Sequence, residues 1–118
     1  MALPQAHRLR DWRAFQAVHQ QGSRDRSLHL LLRALAIADK TQPVRVGVSV
    51  SRKVSKKAVV RNRLKRQILA GLQALLPRLA RGWQLVIVVR PAASECEYKD
   101  FLRELEQLLS QAGLFNGD

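Results

Sequence analysis

Cysteine is nearly absent from this chain of 118 residues: Cys96 is the single example. One cysteine excludes an intrachain disulfide and the paired thiolates of a structural zinc site. Glu95 and Glu97 flank it, and their negative charges raise the pKa of a thiol, which argues against a redox or nucleophilic role. The three histidines, His7, His19 and His29, lack metal-ligand spacing, so they are interpreted as surface or nucleic-acid-facing residues. No metal site and no cofactor held by the protein alone is expected.

Long apolar runs are also missing. No stretch approaches the roughly 20 apolar residues that span a membrane. The first residues, MALPQAHRLRDWR, lack the apolar core of a signal peptide. We therefore expect a soluble, cytoplasmic protein with no membrane partner. Because 47% of the residues are apolar, residues 1–118 are predicted to form a single folded domain rather than a disordered basic tail.

Acidic residues are the third scarcity. Nine Asp and Glu stand against 21 Lys and Arg, a net charge of +12, and no acidic residue occurs between Asp39 and Glu95. Self-repulsion of such a block disfavours the compact state unless a polyanion neutralises it. Nucleic acid is favoured over a membrane surface, because no stretch pairs these cations with aromatic residues on an amphipathic helix. A protein-held two-metal nuclease site needs converging carboxylates, so no catalytic residues are expected in this chain.

The apolar pattern predicts alternating helices and strands. Asp11 caps a helix that runs to about Gln21 and ends at Gly22, with Trp12, Phe15 and Val18 on its apolar face. Strands are predicted over 28–37, 44–51 and 81–91, the last being central because both of its faces are apolar. The leucine-rich run 28–37 could equally form a short helix. Residues 94–97 form a capping box that opens a last helix closing at Gly113. The expected architecture is a two-layer α/β (α+β) sandwich with a small sheet.

One strand has an unusual second face. In VRVGVSVS (44–51) the valines alternate with Arg45, Gly47, Ser49 and Ser51. Small residues on a sheet face leave a shallow trough. Either another chain lies in that trough or a helix of this protein packs closely there, and the pattern does not choose between them.

A basic helix is predicted from Ser55, as its cap, to about Leu76. Its buried stripe comprises Val60, Leu64, Ile68, Leu72 and Leu75. The segment KKAVVRNRLKR (56–66) then turns its cations outward without a glutamate to pair with them. Like charges at i, i+4 and cations in the first turn both destabilise a helix, unless phosphates lie along its face and at its N-terminus. This segment is interpreted as a nucleic-acid-binding surface, in which Asn62 adds a neutral donor and acceptor.

Composition alone does not distinguish RNA from DNA. The open alternatives are a structural RNA-binding protein of ribosomal type and a DNA-binding module. Gly and Lys in GVSVSRKVSKK suggest a phosphate-binding loop, but the second glycine is missing.

The stretch RVGVSVSRKVSKKAVVRNRLKR (45–66) resembles the protein subunit of bacterial ribonuclease P, whose signature is Arg-Asn-Arg on a basic helix. Weaker matches occur at HRLR (7–10), FQAVHQQG (15–22) and GWQLVIVVRPAA (82–93). The resemblance implies the order α-β-β-β-α-β-α with a mixed sheet and a left-handed βαβ crossover, against the usual right-handed rule. It also implies a 1:1 complex of a monomer with a catalytic RNA, which carries the chemistry and the Mg²⁺ ions and removes the 5′ leader of precursor tRNA. DNA is not an expected partner.

The resemblance also implies two sets of site residues. Those expected to contact the catalytic RNA are Arg52, Lys53, Lys56, Lys57, Arg61, Asn62, Arg63, Lys65 and Arg66. Those expected to contact the precursor-tRNA leader are Phe15, His19, Arg45, Gly47 and Ser49. His19 stands where the family carries a second aromatic, which weakens or changes stacking there. Residues 23–33 align poorly, so the leader site has no assigned residue from that segment.

Overall fold

The computed structural model describes residues 3–116, in which helices and strands follow the order α-β-β-β-α-β-α. This order, implied by the family resemblance, is confirmed. The elements are α1 (Trp12–Gln21), β1 (Ser23–Arg26), β2 (Leu30–Ala36), β3 (Arg45–Ser49), α2 (Ala58–Leu75), β4 (Trp83–Val89) and α3 (Tyr98–Gln111). Short 3-10 helices cover Gln5–His7, Leu76–Arg78 and Pro91–Glu95. No helix within 3–116 is both long enough and apolar enough to cross a membrane.

The four strands form one mixed sheet in the order β1-β2-β4-β3. The pairs β1–β2 and β2–β4 are antiparallel, whereas β3 and β4 are parallel and are connected through α2. Strand β4 is therefore internal, as its two apolar faces predicted. The β3–α2–β4 unit is the expected βαβ crossover, and its left hand stays a prediction.

Helices cover the two faces of the sheet differently. On one face, Leu85 and Ile87 of β4 belong to the main core together with the apolar stripes of α2 and α3. On the other face, Val86 packs with Val18 of α1 in a smaller cluster. Helix α1 covers only part of this second face, which leaves the rest of it open. The mixed α+β fold class is confirmed.

Helix α1 has the predicted bounds. The Asp11 carboxylate accepts a hydrogen bond from the Arg13 backbone N–H at 3.0 Å, and Gly22 lies at the C-cap. The predicted apolar face is wrong at one position. Val18 is fully buried and Phe15 is half-buried, but Trp12 is 63% exposed. Trp12 lies one turn before Phe15, where the sheet no longer covers the helix.

Helix α2 is anchored as expected but begins later. Ala58 is its first residue and Lys57 its N-cap, so the prediction that Ser55 caps it is wrong. The Ser55 hydroxyl instead accepts from the Lys57 N–H at 3.2 Å within the preceding turn. The buried stripe is confirmed: Val60 is half-buried against the core, and four residues are buried, Leu64, Ile68, Leu72 and Leu75.

Helix α3 has a capping box, but not at the predicted residues. Residues 91–95 form a 3-10 helix instead, and Glu97 is the N-cap. The Asp100 carboxylate accepts from the Glu97 N–H at 2.9 Å, which completes the box one turn later than expected. The helix is followed by Gly113, whose φ of +72° is favoured by glycine.

Glu104 of α3 is a charged side chain inside the fold, with 5% of its surface exposed. Its carboxylate accepts hydrogen bonds from the Ser27 hydroxyl, from Nδ1 of His29 and from the His29 backbone N–H at 2.9 Å. Burial raises the pKa of Glu104, but these hydrogen bonds outweigh it and hold the pKa below its ordinary value. The carboxylate therefore fastens α3 to the turn between β1 and β2.

Acid should weaken the fold through Glu104. Because its folded-state pKa lies below its unfolded value, its stabilisation is complete above about 4.5 and is lost as pH falls through the folded pKa. Glu104→Gln should lower the free energy of unfolding at neutral pH by about 1–3 kcal/mol. The substitution should also make the free energy of unfolding fall less steeply as the pH is lowered. Urea titrations of both proteins across the acid range would measure this. Parallel pH profiles for the two proteins would contradict it.

Candidate nucleic-acid interface

The nine residues predicted to contact the catalytic RNA lie on α2 or in the segment 52–57 just before it, and we call them together the basic surface. They comprise Arg52, Lys53, Lys56, Lys57, Arg61, Asn62, Arg63, Lys65 and Arg66. Arg61 is half-buried and the other eight are exposed. Leu64 and Ile68 are fully buried on the other side of the same helix. Their burial fixes which side of α2 is turned outward, so the cations stand on a rigid support.

The two arginines of the signature have backbone partners. Arg61 donates to the Ser55 carbonyl at 2.9 Å, and Arg63 donates to the Ser94 carbonyl at 2.8 Å. Three ion pairs occur in the described part of the chain, and none includes a residue of the basic surface. Each guanidinium has five N–H donors, so one backbone contact orients the group and leaves donors for phosphate oxygens.

The N-terminus of α2 adds to the positive potential. Lys57 occupies the N-cap without a side-chain hydrogen bond to the helix, and the first turn contains no acidic residue. The N–H groups of a first helical turn bind anions, and the helix dipole strengthens that binding. The arrangement costs stability in the free protein and favours a bound phosphate. This is the electrostatic pattern predicted from the sequence.

The trough on β3 is occupied by a helix, which answers the question that the sequence left open. Phe15 of α1 lies over Gly47, where an added Cβ would be 2.7 Å from Cε1 of the ring and closer still to Cζ. A pocket of about 320 Å³ remains beside this contact. We call it the α1 cleft; its lining includes Arg8, Arg10, Phe15, Gly47 and Lys65. Lys65 also belongs to the basic surface, so the two sites are continuous.

Gly47→Ala should destabilise the protein by about 1–3 kcal/mol, because the new methyl group overlaps the Phe15 ring. In a Phe15→Ala background the same substitution should cost much less. Urea unfolding of the four proteins gives the coupling energy directly. An equal cost of Gly47→Ala in both backgrounds would show that the ring does not rest on Gly47.

The remaining predicted leader residues lie on the same two elements, α1 and β3, but do not line the α1 cleft. Arg45 and Ser49 point to the same sheet face as Gly47, because side chains alternate along a strand; Arg45 is exposed and Ser49 is half-buried. His19 is exposed near the end of α1. Its carbonyl accepts a hydrogen bond from Arg33 of β2, and the same guanidinium donates to the Gly22 carbonyl at 3.2 Å. Arg33 thus holds the end of α1 against the sheet.

A second pocket on this face was missed by sequence reasoning. Its volume is about 260 Å³, with Leu31 and Val88 forming an apolar part of its lining. Four cations also line it: Arg24, Arg26, Lys53 and Arg90. Arg24 and Arg26 lie on β1, a strand that the apolar pattern did not predict. The alternation of arginine with Ser23 and Asp25 was the signal that could have revealed it.

Two histidines lie away from these surfaces, whereas Cys96 lines a pocket that Lys57 and Arg63 of the basic surface also line. His7 and His29, interpreted from the sequence as surface or nucleic-acid-facing residues, are half-buried, and each ring contacts another part of the protein. Nδ1 of His7 contacts the Val44 carbonyl at 2.8 Å, whereas His29 contacts Glu104. Burial, with the carboxylates of Asp100 and Glu104, raises the pKa of Cys96. The raised pKa agrees with the prediction that the thiol is not activated, although the responsible carboxylates are not those of Glu95 and Glu97 on which that prediction rested.

A basic helix anchored beside a cleft that contains an aromatic ring is typical of small nucleic-acid-binding domains, and this α+β domain has both features. The comparison with protein families is specific. The family model described as Ribonuclease P matches residues 3–113, and the chain belongs to this family.

Relatives and solved structures agree with that assignment. The chain is 53% identical to the ribonuclease P protein component of Microcystis aeruginosa, with 99% of each protein covered. It is 48% identical to that of Nostoc punctiforme, with 100% of this chain and 99% of that protein covered. The ribonuclease P protein of Staphylococcus aureus superimposes with a TM-score of 0.82 at 23% identity, covering 93% of this chain and 98% of that one. The Thermotoga maritima protein gives 0.77 at 23% identity, covering 88% and 96%. These two structures confirm the fold.

Proposed function

We propose that this chain is the protein subunit of ribonuclease P and binds the catalytic RNA through its basic surface. The observation that carries the proposal is a buried aliphatic stripe on α2 together with outward cations that form no ion pair with a carboxylate among residues 3–116. Phosphates of a folded RNA supply the missing negative charge. Asn62, exposed between Arg61 and Arg63, offers a donor and an acceptor to a sugar or base.

The α1 cleft is the proposed site for the 5′ leader of precursor tRNA. Phe15 is half-buried, so its ring is fixed on Gly47 while part of it stays open for an unpaired base. His19 follows Phe15 on α1, Arg45 and Ser49 flank Gly47 on β3, and the second pocket offers a cationic continuation along the same sheet face. Lys65 lines the cleft and belongs to the basic surface, so the leader and the catalytic RNA would meet there.

The protein's proposed contribution is binding rather than bond cleavage. Its basic surface contains no carboxylate, and no group of three potential metal ligands occurs among residues 3–116. We propose, as the family resemblance implies, that Mg²⁺ and the endonucleolytic step belong to the RNA subunit. The protein screens phosphate repulsion and holds the leader, as a monomer in a 1:1 complex in the cytoplasm.

Phe15→Ala tests the leader site. The variant should weaken binding of leader-bearing precursor tRNA to the reconstituted enzyme by about 10-fold, because base stacking on an aromatic ring contributes roughly 1–3 kcal/mol. Binding of mature tRNA should not change. Equilibrium binding of both RNAs to enzymes assembled with each protein measures the difference.

Val18→Ala is the matched control, since Val18 lies on the same helix but is fully buried against the sheet. Val18→Ala should reduce the stability of the protein, but it should not change the affinity for precursor tRNA relative to that for mature tRNA. If Phe15→Ala weakened precursor and mature tRNA equally, Phe15 would not belong to a leader site.

A further inference from the structure

Trp12 is a large aromatic side chain that the fold leaves uncovered. It is 63% exposed, and the guanidinium of Arg13 lies 5.7 Å from its ring centroid. The other exposed large apolar residues of the described chain, Leu28, Val59 and Tyr98, lie on other elements. Trp12 is therefore an isolated ring among polar groups rather than part of an apolar patch, so its neighbourhood does not suit a protein partner.

The ring stands on the cleft side of α1. At 3.6 residues per turn, positions 12, 15 and 19 lie along one side of a helix. Phe15 marks the direction of that side, because its ring rests on Gly47 of β3. Trp12 precedes Phe15 by about 4.5 Å along the helix axis. Trp12 does not line the α1 cleft itself, but it lies between two residues that do, Arg10 and Phe15.

The charges around Trp12 favour a polyanion. Arg10 is exposed and lines the α1 cleft, and Arg13 stacks near the indole ring. The neighbouring carboxylate, Asp11, is engaged as the N-cap of α1, where it accepts from the Arg13 N–H at 3.0 Å. An aromatic ring flanked by cations matches an unpaired nucleotide, because the base can stack while the phosphates meet the guanidinium groups.

We propose that Trp12 stacks on an unpaired base of the 5′ leader and forms a second stacking position on α1, one turn before Phe15. This inference rests on the proposed leader site and extends it toward the N-terminus of the helix. The leader is chosen over the catalytic RNA because Trp12 shares a side of α1 with Phe15, whereas the basic surface is the outward side of α2. Arg13 covers one face of the indole, and the base would occupy the other.

Fluorescence isolates this contact. The chain contains two tryptophans, and the second, Trp83, is half-buried with Nζ of Lys40 5.9 Å from its ring centroid. A Trp83→Phe protein therefore reports Trp12 alone, and a Trp12→Phe protein serves as its control. The enzyme is assembled with the catalytic RNA and titrated with precursor tRNA that carries a deoxynucleotide at the cleavage site, or with mature tRNA. Anisotropy of a dye on the tRNA records binding, while tryptophan emission records stacking.

The expected result is quenching of Trp12 emission by the precursor but not by mature tRNA, with no change in the Trp12→Phe protein. Emission that stays constant while the precursor binds more tightly than mature tRNA would overturn the role of Trp12 and leave the leader site intact. Quenching already complete on addition of the catalytic RNA would overturn the leader as the source of the base. Equal affinity for precursor and mature tRNA would overturn the leader site and this inference together.

Affinity gives a second readout that does not need the Trp83 substitution. Trp12→Ala should weaken precursor binding by on the order of 10-fold, whereas Trp12→Phe should recover most of that loss. The fold should be unaffected, since the ring is mostly exposed. Tyr98→Ala, at an exposed aromatic on α3, is the matched control and should bind precursor like the unmodified protein. An unchanged affinity of Trp12→Ala would count against the proposal.

Discussion

Replacing Lys65 and Arg66 together by alanine should weaken binding to the catalytic RNA by about 100-fold. Both side chains are exposed next to the buried anchor Leu64. Hydrogen bonds to charged groups contribute roughly 1.5–3 kcal/mol each, and every 1.4 kcal/mol is a tenfold change in affinity. This pair is a cleaner choice than Arg61 and Arg63, whose side chains also bond backbone carbonyls of the protein.

The matched control removes the same charge elsewhere. Lys99 and Arg103 are exposed on α3, where Arg103 has only a 3.5 Å contact with Asp100. Replacing them by alanine should leave RNA affinity nearly unchanged. The Lys65 and Arg66 substitutions should also reduce the slope of log affinity against log salt by about two. If both pairs weakened binding equally, net charge alone would explain the interaction, and α2 would have no special role.

Leu64→Ala should lower the free energy of unfolding by about 2–5 kcal/mol, because it deletes a fully buried side chain from the centre of the α2 stripe. A ligand that binds only the native state stabilises it. Bound RNA should therefore raise the unfolding midpoint of the variant, and urea titrations with and without RNA measure both effects.

Val59→Ala is the control for Leu64→Ala, since Val59 is an apolar residue of the same helix that is 70% exposed. Its removal should change stability by less than about 0.5 kcal/mol. A large cost at Val59, or a negligible cost at Leu64, would mean that α2 is oriented differently from the structure described above.

Patterns that depend on local spacing were readable from the sequence. The two apolar faces of 81–91 correctly placed β4 inside the sheet, since a strand covered on both sides needs apolar residues at every position. The repeat from Val60 to Leu75 correctly identified the buried side of α2. With that side known, the cations between these residues had to face outward, so the basic surface was predictable before any contact was known.

Helix starts were less predictable because the sequence offers competing caps. Ser55 satisfies a turn N–H before α2 rather than capping the helix, a local bond that short polar side chains often form. At α3, the Ser94–Glu97 spacing and the Glu97–Asp100 spacing both permit reciprocal bonds, and only the second occurs. The first spacing is not used because residues 91–95 form a 3-10 helix, with Ala93 buried, before α3 begins.

Strand β1 and the contacts of the leader site depend on tertiary structure. Residues 23–26 are short and polar, and they become a strand only through pairing with β2. The small face of β3 was readable, but the residue that fills it, Phe15, comes from 32 positions earlier in the chain. The second pocket likewise combines distant parts of the chain, since Arg24 and Arg26 lie on β1 and Arg90 directly follows β4.

Precursor-tRNA cleavage at low Mg²⁺ shows directly whether the basic surface assists the catalytic RNA. Catalytic RNA from the same organism is assayed for 5′ processing alone, with the unmodified protein, and with the Lys65→Ala, Arg66→Ala double variant. We expect the unmodified protein to accelerate cleavage at the 5′ leader junction, and the variant to require a much higher protein concentration for the same rate. No acceleration by the unmodified protein, or the same protein requirement for both, would contradict it.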